Sequence, residues 1–351
     1  MNFLSRLNRS IQMPLGDGII DSETLDLCSI ESPYPPSDKV EKALQNFDIS
    51  TLNRFPNKNI RALKYLIARR FGLVEKNVFV YHGCDDLLSL CFKAFFNAED
   101  VVAFADITNE YYPRCCKLNN VSFKTVAVNQ EMKILLEDYV GLDCRGILIC
   151  NPNEPTGRAL NKLEIVDLVE KCSDQLIIID ERYVEFSNCS VASFVADYDN
   201  LLVLRSLDNA YGMAGIRFGY VLGNKSLIDG IKNLRYNMKD CSIDSITQTL
   251  AYACLEDSKH LSLTVDKIIN TRENFADALR DMGFEVLPSN ANFVFCKTEK
   301  MLASEIDFQL REMHIAVKQF KVKKIADYLR ITIGTPEQMN KLLKALKIIL
   351  K

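Results

Sequence analysis

Between residues 60 and 222, short apolar runs alternate with stretches of helical spacing, and no other feature constrains the fold as much. The runs at 78–81, 101–105, 146–150, 176–180 and 201–204 have strand length and end near polar or glycine-bearing turns. Helices are expected over 60–71 and 163–172. A third follows residue 83, where Leu87, Leu88, Leu90, Cys91, Ala94 and Phe95 keep helical spacing. Strands separated by helices pair through crossovers rather than hairpins, so an α/β domain with a mainly parallel sheet is expected. Ligand-binding groups in such a sheet gather at the carboxyl ends of strands, where Gly83, Asn153, Asp180 and Ser206 all fall.

The 351 residues suffice for one large domain and a smaller one. From 226 to 283 the pattern is helical, with long amphipathic segments at 243–255 and 261–282. Strands at 284–288, 292–295 and 328–333 and a helix at 301–313 follow. A last helix over 336–350 starts after Thr335, a good N-cap, with Glu337 in its first turn. This predicts a small α+β domain over 241–351, a large domain over 41–240 and an N-terminal arm over 1–40 that packs with the small domain. The first thirteen residues read as a short helix or docking arm, and 14–40 as an extended Pro-, Ser- and Asp-rich segment.

A net charge of -3 gives no basic field for nucleic acid or anionic lipid. Twelve cysteines lack paired spacing and read as reduced thiols, and the three histidines, His82, His260 and His314, form no metal set. No apolar window spans a membrane, and the N-terminus lacks the apolar core of a signal peptide, so the cytoplasm is the expected location.

Two loops suit an anion. Between the apolar runs 201–204 and 216–222 lie Ser206, the small-residue turn Gly212-Met213-Ala214-Gly215 and Arg217. A hydroxyl and a forked guanidinium on one loop can cradle a phosphate dianion. The turn Gly83-Cys84-Asp85-Asp86 joins a strand to a helix, which points backbone N–H groups at an anion.

The segment Ser206-Leu207-Asp208-Asn209-Ala210-Tyr211-Gly212-Met213-Ala214-Gly215-Ile216-Arg217 resembles the lysine-bearing segment of fold-type-I pyridoxal-phosphate (PLP) enzymes. It is similar to that of the histidinol-phosphate aminotransferase family, Ser/Thr-Leu-Ser-Lys-Ala-Phe-Gly-Leu-Ala-Gly-Ile-Arg. Other matches are Asn151-Pro152-Asn153-Glu154-Pro155-Thr156-Gly157, Asp180-Glu181-Arg182-Tyr183 against Asp-Glu-Ala-Tyr, and Leu329-Arg330-Ile331-Thr332-Ile333-Gly334-Thr335. The resemblance runs from about residue 24 to 350. It implies the PLP-dependent transferase fold, a homodimer, and amino transfer between an amino-phosphate or amino acid and a 2-oxo acid.

It also implies roles. Gly83, Cys84, Asp85, Ser206 and Arg217 would hold the cofactor phosphate. Asp180 would pair with the protonated pyridine nitrogen and maintain the electron sink, with Tyr183 donating to the phenolic oxygen beside Asn153 and Glu154. Thr108 takes the position of the aromatic that stacks on the ring; in a register shifted by one, Asn109 takes it. Tyr34, in the partial motif Glu31-Ser32-Pro33-Tyr34, and Arg330 would bind substrate.

The chain departs from the family pattern where it matters most. Asn209 stands where the Schiff-base lysine belongs, and no lysine occurs between Arg205 and Asn224. An amide nitrogen has no nucleophilic lone pair, so it cannot form an imine or shuttle the substrate proton. Phe55 replaces a tyrosine that reaches the neighbouring subunit's cofactor phosphate. Thr108 has no π-face, and Glu154 can only accept when ionised. These further departures favour natural drift over a single deliberate lysine exchange. Loss of normal turnover is expected. The alternatives are a catalytically silent homologue that binds PLP or an aldimine and acts as a partner or sensor, and a decarboxylase or lyase of the same fold, which would meet the same want of an amine.

Overall fold

The computed structural model describes residues 23–57, 60–238 and 243–351. The expectation for residues 1–13 lies outside the described residues. Strand β1 (Leu25–Asp26) belongs to the arm. Strands β2 (Val78–His82), β3 (Val101–Ala105), β4 (Ser122–Val126), β5 (Gly146–Cys150), β6 (Leu176–Asp180), β7 (Leu201–Ser206) and β8 (Phe218–Gly223) form one sheet in the order β2-β8-β7-β6-β5-β3-β4. Only β8 runs against its neighbours. Every residue of β5, β7 and β8 is buried, because helices cover both faces of the central sheet. Edge strand β4 was not legible in the sequence, since four of its five residues are exposed and it carries no apolar run.

The helices are α1 (Asp38–Gln45), α2 (Arg61–Arg69), α3 (Cys84–Phe95), α4 (Tyr111–Leu118), α5 (Lys162–Lys171), α6 (Lys225–Asn237), α7 (Ser245–Leu255), α8 (Ser258–Asp281), α9 (Ala303–Glu312) and α10 (Pro336–Ile349). None of them is long and apolar enough to cross a membrane. Thr335 caps α10 through a reciprocal pair: Gln338 N donates to its hydroxyl, and Gln338 Oε1 accepts from Thr335 N at 2.7 Å.

A second, antiparallel sheet has the order β12-β13-β10-β9, with β9 (Glu285–Val286), β10 (Phe293–Lys297), β12 (Lys318–Gln319) and β13 (Tyr328–Thr332). The arm joins this part of the molecule. β1 pairs in parallel with β11 (Ile315–Ala316), and Thr332 N donates to Leu27 O at 2.9 Å. Helix α7 instead lies against α1 and α2.

The register brings Cys150, Asp180 and Leu204 side by side, so the strand ends are level. A buried network fixes the loop beyond β6. Arg205 of β7 donates to Glu181 Oε2 at 3.0 Å and to Glu185 Oε1 at 2.5 Å. Glu181, with its side chain fully buried, also accepts from Ser190 Oγ and Val191 N. Burial pushes the Glu181 carboxyl up in pKa even with Arg205 beside it. Removing the guanidinium would strand that acid away from water. R205A should therefore lower the unfolding free energy by about 3–5 kcal/mol, read from urea denaturation.

Candidate functional site

The loops beyond the carboxyl ends of the strands, arm residues 28–31 and Arg330 enclose a cleft of about 590 Å³. A larger groove, about 810 Å³, runs along α5 and holds none of the strand-end groups, so the chemistry belongs to the smaller cleft.

One end of the cleft is built for an anion. Gly83 has φ +65°, a conformation that suits glycine, and turns β2 into α3 with no side chain capping the helix. Its close neighbour is Gly219 of β8, where a methyl group would lie 2.7 Å from Gly83 carbonyl carbon. Residue 216 does not open β8 as expected. Ala214–Ile216 is a 3-10 turn, and Arg217 sits in the left-handed region at φ 49° before the strand begins at Phe218. That conformation is costly for a residue with a Cβ. It lays the Arg217 guanidinium against the turn, 3.3 Å from where a Gly83 Cβ would be. Ser206 Oγ, at the end of β7, accepts from Asp208 N at 3.3 Å. Helix N-terminal N–H groups, a hydroxyl and a guanidinium are thus gathered in one place.

The other end is filled by ion pairs. Asp180, 1% exposed, accepts from Tyr112 Oη at 3.0 Å. Both its oxygens are also taken by Arg182, whose Nε lies 3.1 Å from Oδ1 and 2.9 Å from Oδ2. Arg182 Nη2 bridges on to Asp85 Oδ1 of α3 at 2.9 Å. Glu154 accepts from Tyr183 Oη at 2.6 Å, Asn109 Nδ2 at 2.8 Å and Arg330 Nη1 at 2.5 Å. Burial, reinforced by the Glu154 charge, holds the Tyr183 phenol well above its ordinary pKa, so it stays a donor. Arg330 also donates to Cys28 O at 2.6 Å, which ties the arm to β13.

Asn209 lines the cleft and donates to Ile30 O at 2.8 Å. Among the described residues lining the cleft, none is a lysine. Lys318 stands near the rim, with Nζ 3.8 Å from Glu110.

Of the expected residues, Gly83, Asp180 and Ser206 do not themselves line the cleft, and three more, Thr108, Asn153 and Tyr34, are also off its wall. Thr108 is not on the cleft wall; its hydroxyl donates to Asn153 Oδ1 at 2.9 Å, and Asn109 lines the cleft instead. Asn153 is buried, and its amide ties Ile107 O to Thr156 Oγ1, which makes it a brace between loops. Tyr34 does not line the cleft; Lys267 Nζ lies 5.3 Å from its ring centre.

The family model for aminotransferase class I and II matches residues 22–346. Histidinol-phosphate aminotransferase of Brachyspira hyodysenteriae is 34% identical over 352 residues, covering 100% of this chain and 99% of that protein. Histidinol-phosphate aminotransferase 1 of Hydrogenovibrio crunogenus is 37% identical over 321 residues, 92% of this chain and 90% of that one. The structure of histidinol-phosphate aminotransferase from Sinorhizobium meliloti, in complex with pyridoxal-5'-phosphate, superposes with a TM-score of 0.89 at 21% identity, covering 99% and 98% of the two chains. The chain belongs to the class I and II aminotransferases, and within them it is a histidinol-phosphate aminotransferase-like member.

Sequence reasoning overlooked Arg182 and Asp208. The signal was in the motifs: Arg182 stands where the family writes alanine, and Asp208 where it writes serine. Asp208 Oδ1 is buried without a hydrogen-bond partner. Burial raises its pKa from 3.8 to about 6, against the pull of Arg217 and Arg182. The folded protein thus keeps this proton up to about pH 6, whereas the unfolded chain releases it near 3.8. The stability contributed is full at low pH and is lost as pH rises through the folded value. Relative to D208N, the natural chain should lose up to about 3 kcal/mol between pH 4 and pH 7. Urea unfolding across that range measures it; a constant difference would mean Asp208 titrates normally.

Proposed function

We propose that this chain keeps the PLP site of its family as a non-covalent binding site and does not run the amino-transfer cycle at the family's usual rate. The single observation that carries this is Asn209. A primary amine at that position would make the covalent bond to the cofactor and move the substrate proton; an amide does neither. Support for PLP as the cofactor comes from family membership and from the PLP complex of the Sinorhizobium meliloti relative.

The residues fit such a ligand at its phosphate end, through the uncapped turn at Gly83, Ser206 and Arg217. At the ring end Asp180 and Tyr183 are both present, but Arg182 must leave Asp180 before a ring can meet it. PLP supplies an electron sink for charge at a substrate carbon. Tyr183 would hold a phenol proton toward the ring oxygen, and Arg330 would receive an acidic group once released from Glu154. An amino-phosphate or amino acid is therefore the ligand class. A catalytically silent relative acting as partner or sensor fits better than a transaminase or a lyase, since both of those need an amine.

The same proposal includes a homodimer and a cytoplasmic location. Ile49, Leu52 and Phe55 are exposed, Phe55 by 87%, as in a surface awaiting a second copy. The eleven cysteines of the described residues are free thiols, as suits a reducing compartment. We propose the division into arm, large and small domains too, with the packing of α7 on α1 and α2 favouring a boundary after Leu255 over one at 240.

Borohydride reduction of the protein with PLP, followed by mass spectrometry, should leave the natural chain unmodified and place a pyridoxyl group on N209K. A pyridoxyl group on Lys318 of the natural chain, accompanied by turnover, would overturn the proposal. Light scattering after size-exclusion chromatography should give twice the 39.9 kDa chain mass; F55D should shift it toward the monomer.

A further inference from the structure

We propose that Arg182 sets this chain's selectivity for its ligand, by holding the seat on Asp180 that a cationic pyridine ring would otherwise take. This rests on the reading of the cleft as a PLP site and adds to it a residue that competes for that site from within.

Asp180 ends β6 almost fully buried, and a carboxylate there needs a positive partner. Arg182, two residues on, supplies it through both carboxylate oxygens, with Nη2 2.8 Å from Oδ2. The side chain is only 11% exposed, yet it lines the cleft, so it fills space that faces the ligand. Its neighbours hold it in that posture. Tyr112 Oη covers Asp180 from α4, and Asp85 receives the far end of the guanidinium.

Two ligands that share a phosphate should then respond differently to Arg182. Inorganic phosphate needs the Gly83 turn, Ser206 and Arg217, and leaves the Asp180–Arg182 pair intact. A phosphorylated pyridine needs those groups and also Asp180. Its apparent affinity is the intrinsic affinity multiplied by the fraction of molecules in which Arg182 has withdrawn. Asp85 offers the withdrawn guanidinium a second carboxylate, 34% exposed at the start of α3, so the charge need not be left unpaired.

The test is calorimetric titration of the full chain and its R182A variant with PLP and, separately, with inorganic phosphate. R182A should bind PLP at least tenfold more tightly than the natural chain, with phosphate affinity changed less than threefold. R182Q, which keeps a donor and the side-chain length without the charge, should move in the same direction by a smaller factor. It serves as the deciding variant if R182A does not fold. Unchanged or weaker PLP binding by the folded variants, while the natural chain does bind PLP, would overturn the role of Arg182 and leave the PLP site standing. Equal gains for PLP and phosphate would also overturn it, since the effect would then be general charge. Absence of PLP binding in all three proteins would bring down both the PLP reading and this proposal.

Discussion

The buried pair between Asp180 and Arg182 governs what the cleft can accept. A carboxylate at the end of a central strand has little water to lean on and must be neutralised from nearby. A partner attached two residues away has a standing advantage over any dissolved one. It loses no translational freedom on pairing, and short tethers give effective concentrations on the order of millimolar. A free ligand that seeks the same carboxylate must bring compensating contacts, and the anion-binding turn at Gly83 is where the fold offers them.

The same principle runs through the rest of the cleft. Arg330 is matched by Glu154, which Tyr183 and Asn109 also serve. Asn209 is committed to Ile30 O in the arm. Polar groups that would otherwise wait for a ligand have found partners inside the chain. The scaffold under them has level strand ends, with the β6 loop fastened by Glu181 and Arg205.

Much of this was legible in the sequence because it depends on local pattern. The apolar runs of β3, β5 and β6 read with their ends intact, since buried parallel strands show as continuous hydrophobic stretches. The edge strand β4 was silent for the opposite reason. The positions of Asp180, Tyr183, Asn209, Arg217 and Arg330 followed from motif order. Thr108 and Tyr34 do not line the cleft, since which residues reach a cleft depends on side-chain placement across loops, which spacing alone does not report. Arg182 was visible as an unusual letter, but a cation beside an acid in sequence does not say whether they pair.

By itself the sequence determined the class of fold, the family and the missing amine, because each is a matter of which residues stand in which order. Only the tertiary structure decided how the cleft is occupied. Asp85 and Arg182 lie far apart in the chain, as do Glu154 and Arg330, and packing two sheets and an arm around one opening brings each set within hydrogen-bond reach. Charge compensation falls off steeply with distance and burial, so it is a property of that assembled geometry and not of any single motif.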